Sequence, residues 1–156
     1  MKVLFLDIDG VVNCLKTKTR HRGFIGIDPR MARIVRNIAQ AVPDLKVVLS
    51  SSWRCVQESR AEVERSVVPC FDVTPEFDAE DDVRGYEIQA WLELHPGVER
   101  YAILDDDCDM LEHQMPNFFR TSFEIGITQE LADKVVAHLL ASEIKDAAFK
   151  KESGVV

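Results

Sequence analysis

Cysteine is scarce and scattered in this chain. Cys14, Cys55, Cys70 and Cys108 form no Cys-x-x-Cys pair, which argues against a zinc centre and against a disulfide framework. Reduced thiols at partly buried positions are the expectation. No apolar run approaches the roughly 20 residues needed to cross a bilayer. The N-terminus also lacks the basic start, apolar core and small-residue cleavage site of a secretory signal, so a cytosolic location without membrane attachment is expected. Positive charge is in deficit as well. Nineteen Lys and Arg face 27 Asp and Glu, for a net charge of −8, and such a chain has no bulk field with which to draw in nucleic acid. Repeats, low-complexity tracts and internal linkers are missing. What remains is 156 residues, 46% of them apolar, enough for one domain with its own core. That domain is expected over residues 1–150, with a frayed tail over 151–156.

Charge is unevenly spread. Lys16, Lys18, Arg20, His21 and Arg22 crowd into one short stretch, and Glu76, Asp78, Glu80, Asp81 and Asp82 form an acidic run further on. Most informative is the start: Val3-Leu4-Phe5-Leu6 runs straight into Asp7-Ile8-Asp9-Gly10. A buried strand that ends in two carboxylates is costly unless a cation or partner compensates them. The carboxyl end of a strand is also where open α/β sheets place their ligands. Taken alone, Asp-x-Asp-Gly is equally compatible with an Asp-rich turn.

Helical and strand periodicities alternate along the chain, predicting a β-α-β-α architecture with a parallel sheet. The first strand is expected over residues 3–8. A helix is expected from Asp28, a natural cap, and Pro29, suited to the first helical position. Its apolar residues Met31, Ile34, Val35 and Ile38 recur on one face. A second strand over 45–49 stops in Ser50-Ser51-Ser52. Then follow a weaker helix over 56–66, a short strand within 67–73, and a helix over 84–94 with Ile88, Trp91 and Leu92 inward. A fourth strand over 101–104 ends in Asp105-Asp106-Asp107. A fifth strand is expected over 118–123 and a last helix over 129–149. Three polar strand ends at successive parallel strands converge on one edge, and that convergence describes a site where a single acidic end would describe a turn.

The ordered motifs carry a resemblance. Val3 to Gly10, Val47-Val48-Leu49-Ser50-Ser51-Ser52-Trp53-Arg54, Arg84-Gly85-Tyr86-Glu87-Ile88 and Ile103-Leu104-Asp105-Asp106-Asp107 resemble motifs I to IV of the haloacid dehalogenase (HAD) phosphohydrolases. With Asp-Gly-Val-Val-Asn, Thr74-Pro75, Trp91-Leu92 and Gly126-Ile127-Thr128, over about residues 3–128, the string is similar to the HAD domain of Swiss Army knife RNA repair proteins. It is more distantly similar to the 3′-phosphatase half of polynucleotide kinase-phosphatases. The resemblance implies a three-layer Rossmann-like fold with a central parallel sheet of about five strands in the order 5-4-1-2-3. It implies Asp7 as nucleophile, since a carboxylate attacking phosphorus splits the displacement into two easier steps, and Asp9 as general acid and base. The Asp9 carbonyl, Asp7, Asp105 and Asp106 are implied as ligands of Mg²⁺, which takes hard oxygen donors. Ser51, with Ser50 as the alternative, is implied to hold phosphate together with Gly10, Ser52 and neighbouring amides. Arg84 is implied to steady the transferring group. Asp107 and Asp109 read as loop or outer residues, and Trp53, Arg54 and Trp91 read at least as well as packing residues.

Only residues 11–27 separate Gly10 from Asp28, too few for a helical cap. An open site is therefore expected, with these residues as a short flap. Lys18, Arg20 and Arg22 on that flap are candidates for contacts to substrate phosphates, although a solvated basic loop accounts for them equally. No aromatic-interleaved surface of the kind single-strand binders use is evident. A Mg²⁺-dependent phosphatase acting on a nucleic-acid phosphate end is the leading expectation, with a nucleotide or other small phosphate ester next. A non-catalytic phosphate- or protein-binding module is the alternative from another class. A phospho-accepting receiver would want an acidic end on the second strand and a lysine after the last, and neither is present.

Overall fold

The computed structural model describes residues 1–78, 80 and 83–152, with side chains of the last helix described to residue 141. In chain order the elements are β1 (Lys2–Leu6), β2 (Arg20–His21), β3 (Phe24–Ile25), α1 (Pro29–Ala41), β4 (Lys46–Leu49), α2 (Gln57–Ser66), β5 (Asp72–Val73), α3 (Arg84–Glu93), β6 (Arg100–Asp105), β7 (Phe118–Arg120) and α4 (Gln129–Glu152). Five strands form a parallel sheet in the order β5-β4-β1-β6-β7. This is the expected order, read from the other edge.

Alternation along the central strands builds two cores. Leu4 and Leu6 of β1, Val47 and Leu49 of β4, and Ala102 and Leu104 of β6 face one side, packing with Met31, Val35 and Ile38 of α1, Val63 of α2, and Val135 and Leu139 of α4. Val3, Phe5, Val48 and Ile103 face the other, against Ile88 and Trp91 of α3. Both faces of the sheet are thus covered, as a parallel sheet requires. Each fully buried Leu, Ile or Phe contributes about 1.5–3 kcal/mol. Asp28 caps α1 as expected, its carboxylate accepting from the Arg30 amide at 3.0 Å.

The register then positions the site. Leu6 lies level with Leu49 on one side and with Leu104 on the other. The ladders run one residue further: the Asp7 amide donates to the Leu104 carbonyl and the Ser50 amide to the Leu6 carbonyl, both at 3.0 Å. Asp7, Ser50 and Asp105 therefore stand side by side where three strands end.

Several expected bounds move for physical reasons. The third strand shrinks to Asp72–Val73: Val67 and Val68 are tied back to the Val63 carbonyl at the end of α2, and Pro69 has no N–H to give a ladder. The fifth strand stops at Arg120, because the Ser122 carbonyl accepts from the Gly126 amide in a tight turn. The last helix continues to Glu152, so Lys151 and Glu152 are helical, while residues 153–156 of the expected tail lie outside the described residues. So do Asp81 and Asp82 of the acidic run. Within residues 11–27 the chain forms the antiparallel β2–β3 hairpin, with His21 opposite Phe24. Arg22 at φ 52° and Gly23 at φ 83° make its two-residue turn, the doubly left-handed geometry that suits tight hairpins. No helix among the described residues is long and apolar enough to cross a membrane.

Candidate active site

At the end of β1 the chain turns so that Asp7 and Asp9 meet different surroundings. Asp7 is almost fully buried at 7% exposure. Burial pushes its carboxyl up to about 6, against the opposing pull of the Arg84 charge, the Ile8 amide and the Ser51 hydroxyl. Asp9 is only half-buried and is gripped on both oxygens. Asn13 Nδ2 donates to Oδ1 at 2.9 Å, and Trp53 Nε1 donates to Oδ2 at 3.1 Å. Asn13 also accepts from the Gly10 amide at 2.9 Å, which fixes the turn that presents Asp9.

Asp7, Asp105 and Asp106 each offer a carboxylate oxygen within 4.8 Å of the others. With Arg84, Asp107 and Asp109 they line a polar cavity of about 170 Å³. Burial first, and the facing Asp7 next, push the Asp105 carboxyl up to about 8; burial also raises Asp106. Asp105 Oδ2 is buried and has no hydrogen-bond partner, although Arg84 Nε lies 3.4 Å away. Converging hard oxygens, mutual repulsion and an orphaned buried carboxylate oxygen fit a small divalent cation such as Mg²⁺. Gly10 makes the approach possible. It sits at φ +79°, and a Cβ there would lie 2.3 Å from Asp106 Oδ2, so only glycine lets the β1 turn come so close to the acidic loop.

Of the three serines, Ser51 presents its hydroxyl to Asp7 and also caps the following 3₁₀ turn, accepting from the Trp53 amide at 3.3 Å. Ser50 is fully buried with its hydroxyl unpartnered, and Ser52 is exposed on the rim of the neighbouring cleft. Arg84 opens α3 with its backbone amide on Asp109 at 2.9 Å. Its guanidinium reaches Glu87 at 3.2 Å and Asp105 at 3.4 Å. Burial pulls the Arg84 charge down, but Asp7, Asp105, Glu87 and Asp109 together raise it above the ordinary value. Asp109 is thereby part of the site's frame, while Asp107 stays at its rim, its amide donating to Asp105 at 3.0 Å.

Two residues do more than the sequence suggested. Arg54 is a buried hub: it donates to the Ser50, Ser51, Thr74 and Pro75 carbonyls and to Glu87 Oε1 at 2.8 Å. Trp53 is packed and also holds Asp9. Glu87 and Asn13 stand within the motifs quoted above but carried no assigned role there. The signal for Glu87 was its spacing, three residues after Arg84 on a helix, which puts it beneath that guanidinium. A carboxylate so deeply buried, at 1% exposure, requires such partners.

Beyond Asp9 lies a cleft of about 550 Å³, lined among others by Asp9, His21, Phe24, Trp53 and Phe123. His21 stacks on Trp53 with ring centres 4.9 Å apart, and its Nε2 hydrogen-bonds Ser59 Oγ at 2.9 Å. This aromatic surface was invisible in the sequence because its members are scattered between positions 21 and 123. The basic flap residues do not converge here. Arg22 lines the cleft but pairs with Glu58 at 3.1 Å. Arg20 donates to the Thr17 and Thr19 carbonyls within its own loop. Lys18 lines a separate cavity with Lys16, Asp28 and Arg30.

Comparison with known families agrees with this geometry. The model of the HAD domain in Swiss Army Knife RNA repair proteins matches residues 3–132. No curated protein and no solved structure matches the chain. The chain belongs to that HAD domain family, and family membership points to a phosphatase-type hydrolase.

Proposed function

We propose that this chain is a Mg²⁺-dependent phosphomonoester hydrolase working through an aspartyl-phosphate on Asp7, with nucleic-acid phosphate ends as its substrates. The observation that carries the reading is the division of labour between two neighbouring carboxylates. Asp7 is buried beside Arg84 and Ser51, whereas Asp9 is held by Asn13 and Trp53 at the mouth of the cleft. A nucleophile and a proton carrier need such different settings.

In the first step an Asp7 carboxylate oxygen attacks phosphorus and the bond from phosphorus to the ester oxygen breaks. Asp9 gives its proton to the departing alcohol. In the second step Asp9 takes a proton from water, whose oxygen attacks phosphorus and frees Asp7 with release of inorganic phosphate. The Ser51 hydroxyl and the Arg84 guanidinium orient the phosphoryl oxygens and offset their charge. Asp7, Asp105, Asp106 and the Asp9 carbonyl would hold Mg²⁺, which supplies charge neutralisation between carboxylates and phosphate.

The family's association with RNA repair supports a nucleic-acid end as substrate. So does the short hairpin that stands where a cap domain would otherwise close the site. A cytosolic setting is part of the reading, supported by four free cysteine thiols. The test is phosphate release from matched 3′- and 5′-phosphorylated oligonucleotides, with Mg²⁺ and with EDTA. Release from an oligonucleotide end that needs Mg²⁺ and vanishes in Asp7→Asn is expected. Release from small esters alone would discard the nucleic-acid substrate. No release from any ester would make the chain a binding module.

A further inference from the structure

Asp9 lines the aromatic cleft, and its charge acts on Asp106, which lines the polar cavity with Asp7. We propose that the cleft receives the flat base of the nucleotide whose phosphate is removed, so that the preferred substrates are phosphomonoesters of nucleosides. This rests on the hydrolase reading above and goes beyond it by naming what the leaving alcohol carries. The base belongs either to a free mononucleotide or to the terminal nucleotide of a strand.

Direction comes from Asp9. The phosphoryl group lies on the Asp7 side, and the oxygen that Asp9 protonates must sit within hydrogen-bond reach of its carboxylate. The rest of the leaving group therefore extends past Asp9, and the cleft of about 550 Å³ opens there. That space suits a nucleoside, whereas the cavity of about 170 Å³ at Asp7 suits phosphate and a metal ion.

The walls favour a planar ring. Trp53, only 7% exposed, forms the floor with its indole N–H on Asp9, and His21 stacks on it at an interplanar angle of 22°. Across the hairpin, His21 is directly opposite Phe24, so both rings project from one face of the β2–β3 ribbon. Phe24 is 76% exposed and Phe123, which also lines the cleft, 36% exposed. A hairpin held by the Arg20 contacts to its own loop carbonyls and by the His21–Ser59 bond keeps an aromatic ring over solvent beside a proton donor. Stacking a base on one aromatic ring is worth roughly tenfold to a hundredfold in affinity and tolerates any base.

The experiment compares kcat/KM for a nucleoside monophosphate, a 3′-phosphorylated oligonucleotide and the base-free ester 2-glycerophosphate. It uses the unaltered chain, Phe24→Ala and Phe123→Ala. Calorimetric binding of the same mononucleotide and of 2-glycerophosphate to Asp7→Asn, with and without Phe24→Ala, accompanies it. Base-bearing esters are expected to be preferred at least tenfold, and each Phe→Ala change to lower that preference about tenfold, mainly through KM. A preference over 2-glycerophosphate that falls in the Phe→Ala variants supports the proposal, and whether the mononucleotide, the oligonucleotide or both show it identifies the source of the base. Equal kcat/KM for 2-glycerophosphate and nucleotide, or a preference that both Phe→Ala variants retain, overturns it and leaves the hydrolase standing. Absence of all turnover, with mononucleotide binding that weakens in Phe24→Ala, would instead sink the hydrolase and keep the cleft. Absence of both turnover and binding overturns both.

Discussion

Replacing Asp105 by Asn should stabilise the metal-free protein while destroying its metal site. Asp105 is 1% exposed and its carboxyl is pushed from 3.8 up to about 8, by burial first and by Asp7 next. Between those two pH values the folded protein keeps a proton that the unfolded chain has released. Stability of the metal-free protein therefore falls as pH rises through that window. At about pH 7 the group costs roughly 4 kcal/mol, from about 1.4 kcal/mol per pH unit over some three units. Asn carries no charge, and its Oδ1 can still accept from the Asp107 amide, which lies 3.0 Å from the carboxylate. The contact of Oδ2 with Arg84 Nε at 3.4 Å is lost, but Arg84 keeps Glu87. Allowing for that loss, a net gain of roughly 2–3 kcal/mol is expected, raising Tm by about 5–10 °C. Thermal unfolding in EDTA across a pH series checks this. The difference should reach its full size above about pH 8 and fall away towards about pH 4, where the unfolded chain holds the proton as well. Mg²⁺ should then raise the Tm of the native chain and leave that of Asp105→Asn nearly unmoved. A variant less stable than the native chain at every pH would refute the account of a strained acidic cluster.

Gly10→Ala should cost about 1–3 kcal/mol from its left-handed backbone and displace Asp106, whose Oδ2 would lie 2.3 Å from the new Cβ. Urea unfolding should show the first effect and a weakened Mg²⁺ dependence of activity the second; native-like values in both would contradict the close approach. Arg54→Met should destabilise by about 3–5 kcal/mol, because it removes one partner of a buried ion pair and leaves the Ser50, Ser51, Thr74 and Pro75 carbonyls without their donor. An unchanged unfolding midpoint would show that the hub is dispensable.

Much of this site was legible because its parts sit where elements end. The strand ends at Asp7, Ser50 and Asp105 follow from apolar runs that stop abruptly, and parallel register then brings them level. Asp28 and Pro29 announced the start of α1 through cap chemistry, and the spacing of Met31, Ile34, Val35 and Ile38 its buried face. What stayed hidden depends on distance in sequence or on local overrides. The cleft needs His21, Phe24, Trp53 and Phe123 from three separated segments. The β2–β3 turn uses Arg22 at positive φ, a conformation that no Asn-Gly or Asp-Gly signal advertised. Arg20, a candidate phosphate contact or a solvated loop charge by sequence, donates to the Thr17 and Thr19 carbonyls of its own loop, a partnership that charge pattern alone does not reveal. Glu87 lies inside a quoted motif, but its place between Arg54 and Arg84 depends on a residue 33 positions away.

The most direct test of the central claim is to trap the covalent intermediate. The chain would be mixed with Mg²⁺ and a phosphorylated oligonucleotide, quenched in acid within the first turnover, digested and mapped by mass spectrometry. A phosphoryl group on Asp7, labile to hydroxylamine and missing from Asp7→Asn, is the expected result. Mg²⁺-dependent turnover with the phosphoryl group on another residue, Ser51 above all, would contradict the roles given to this pair of aspartates.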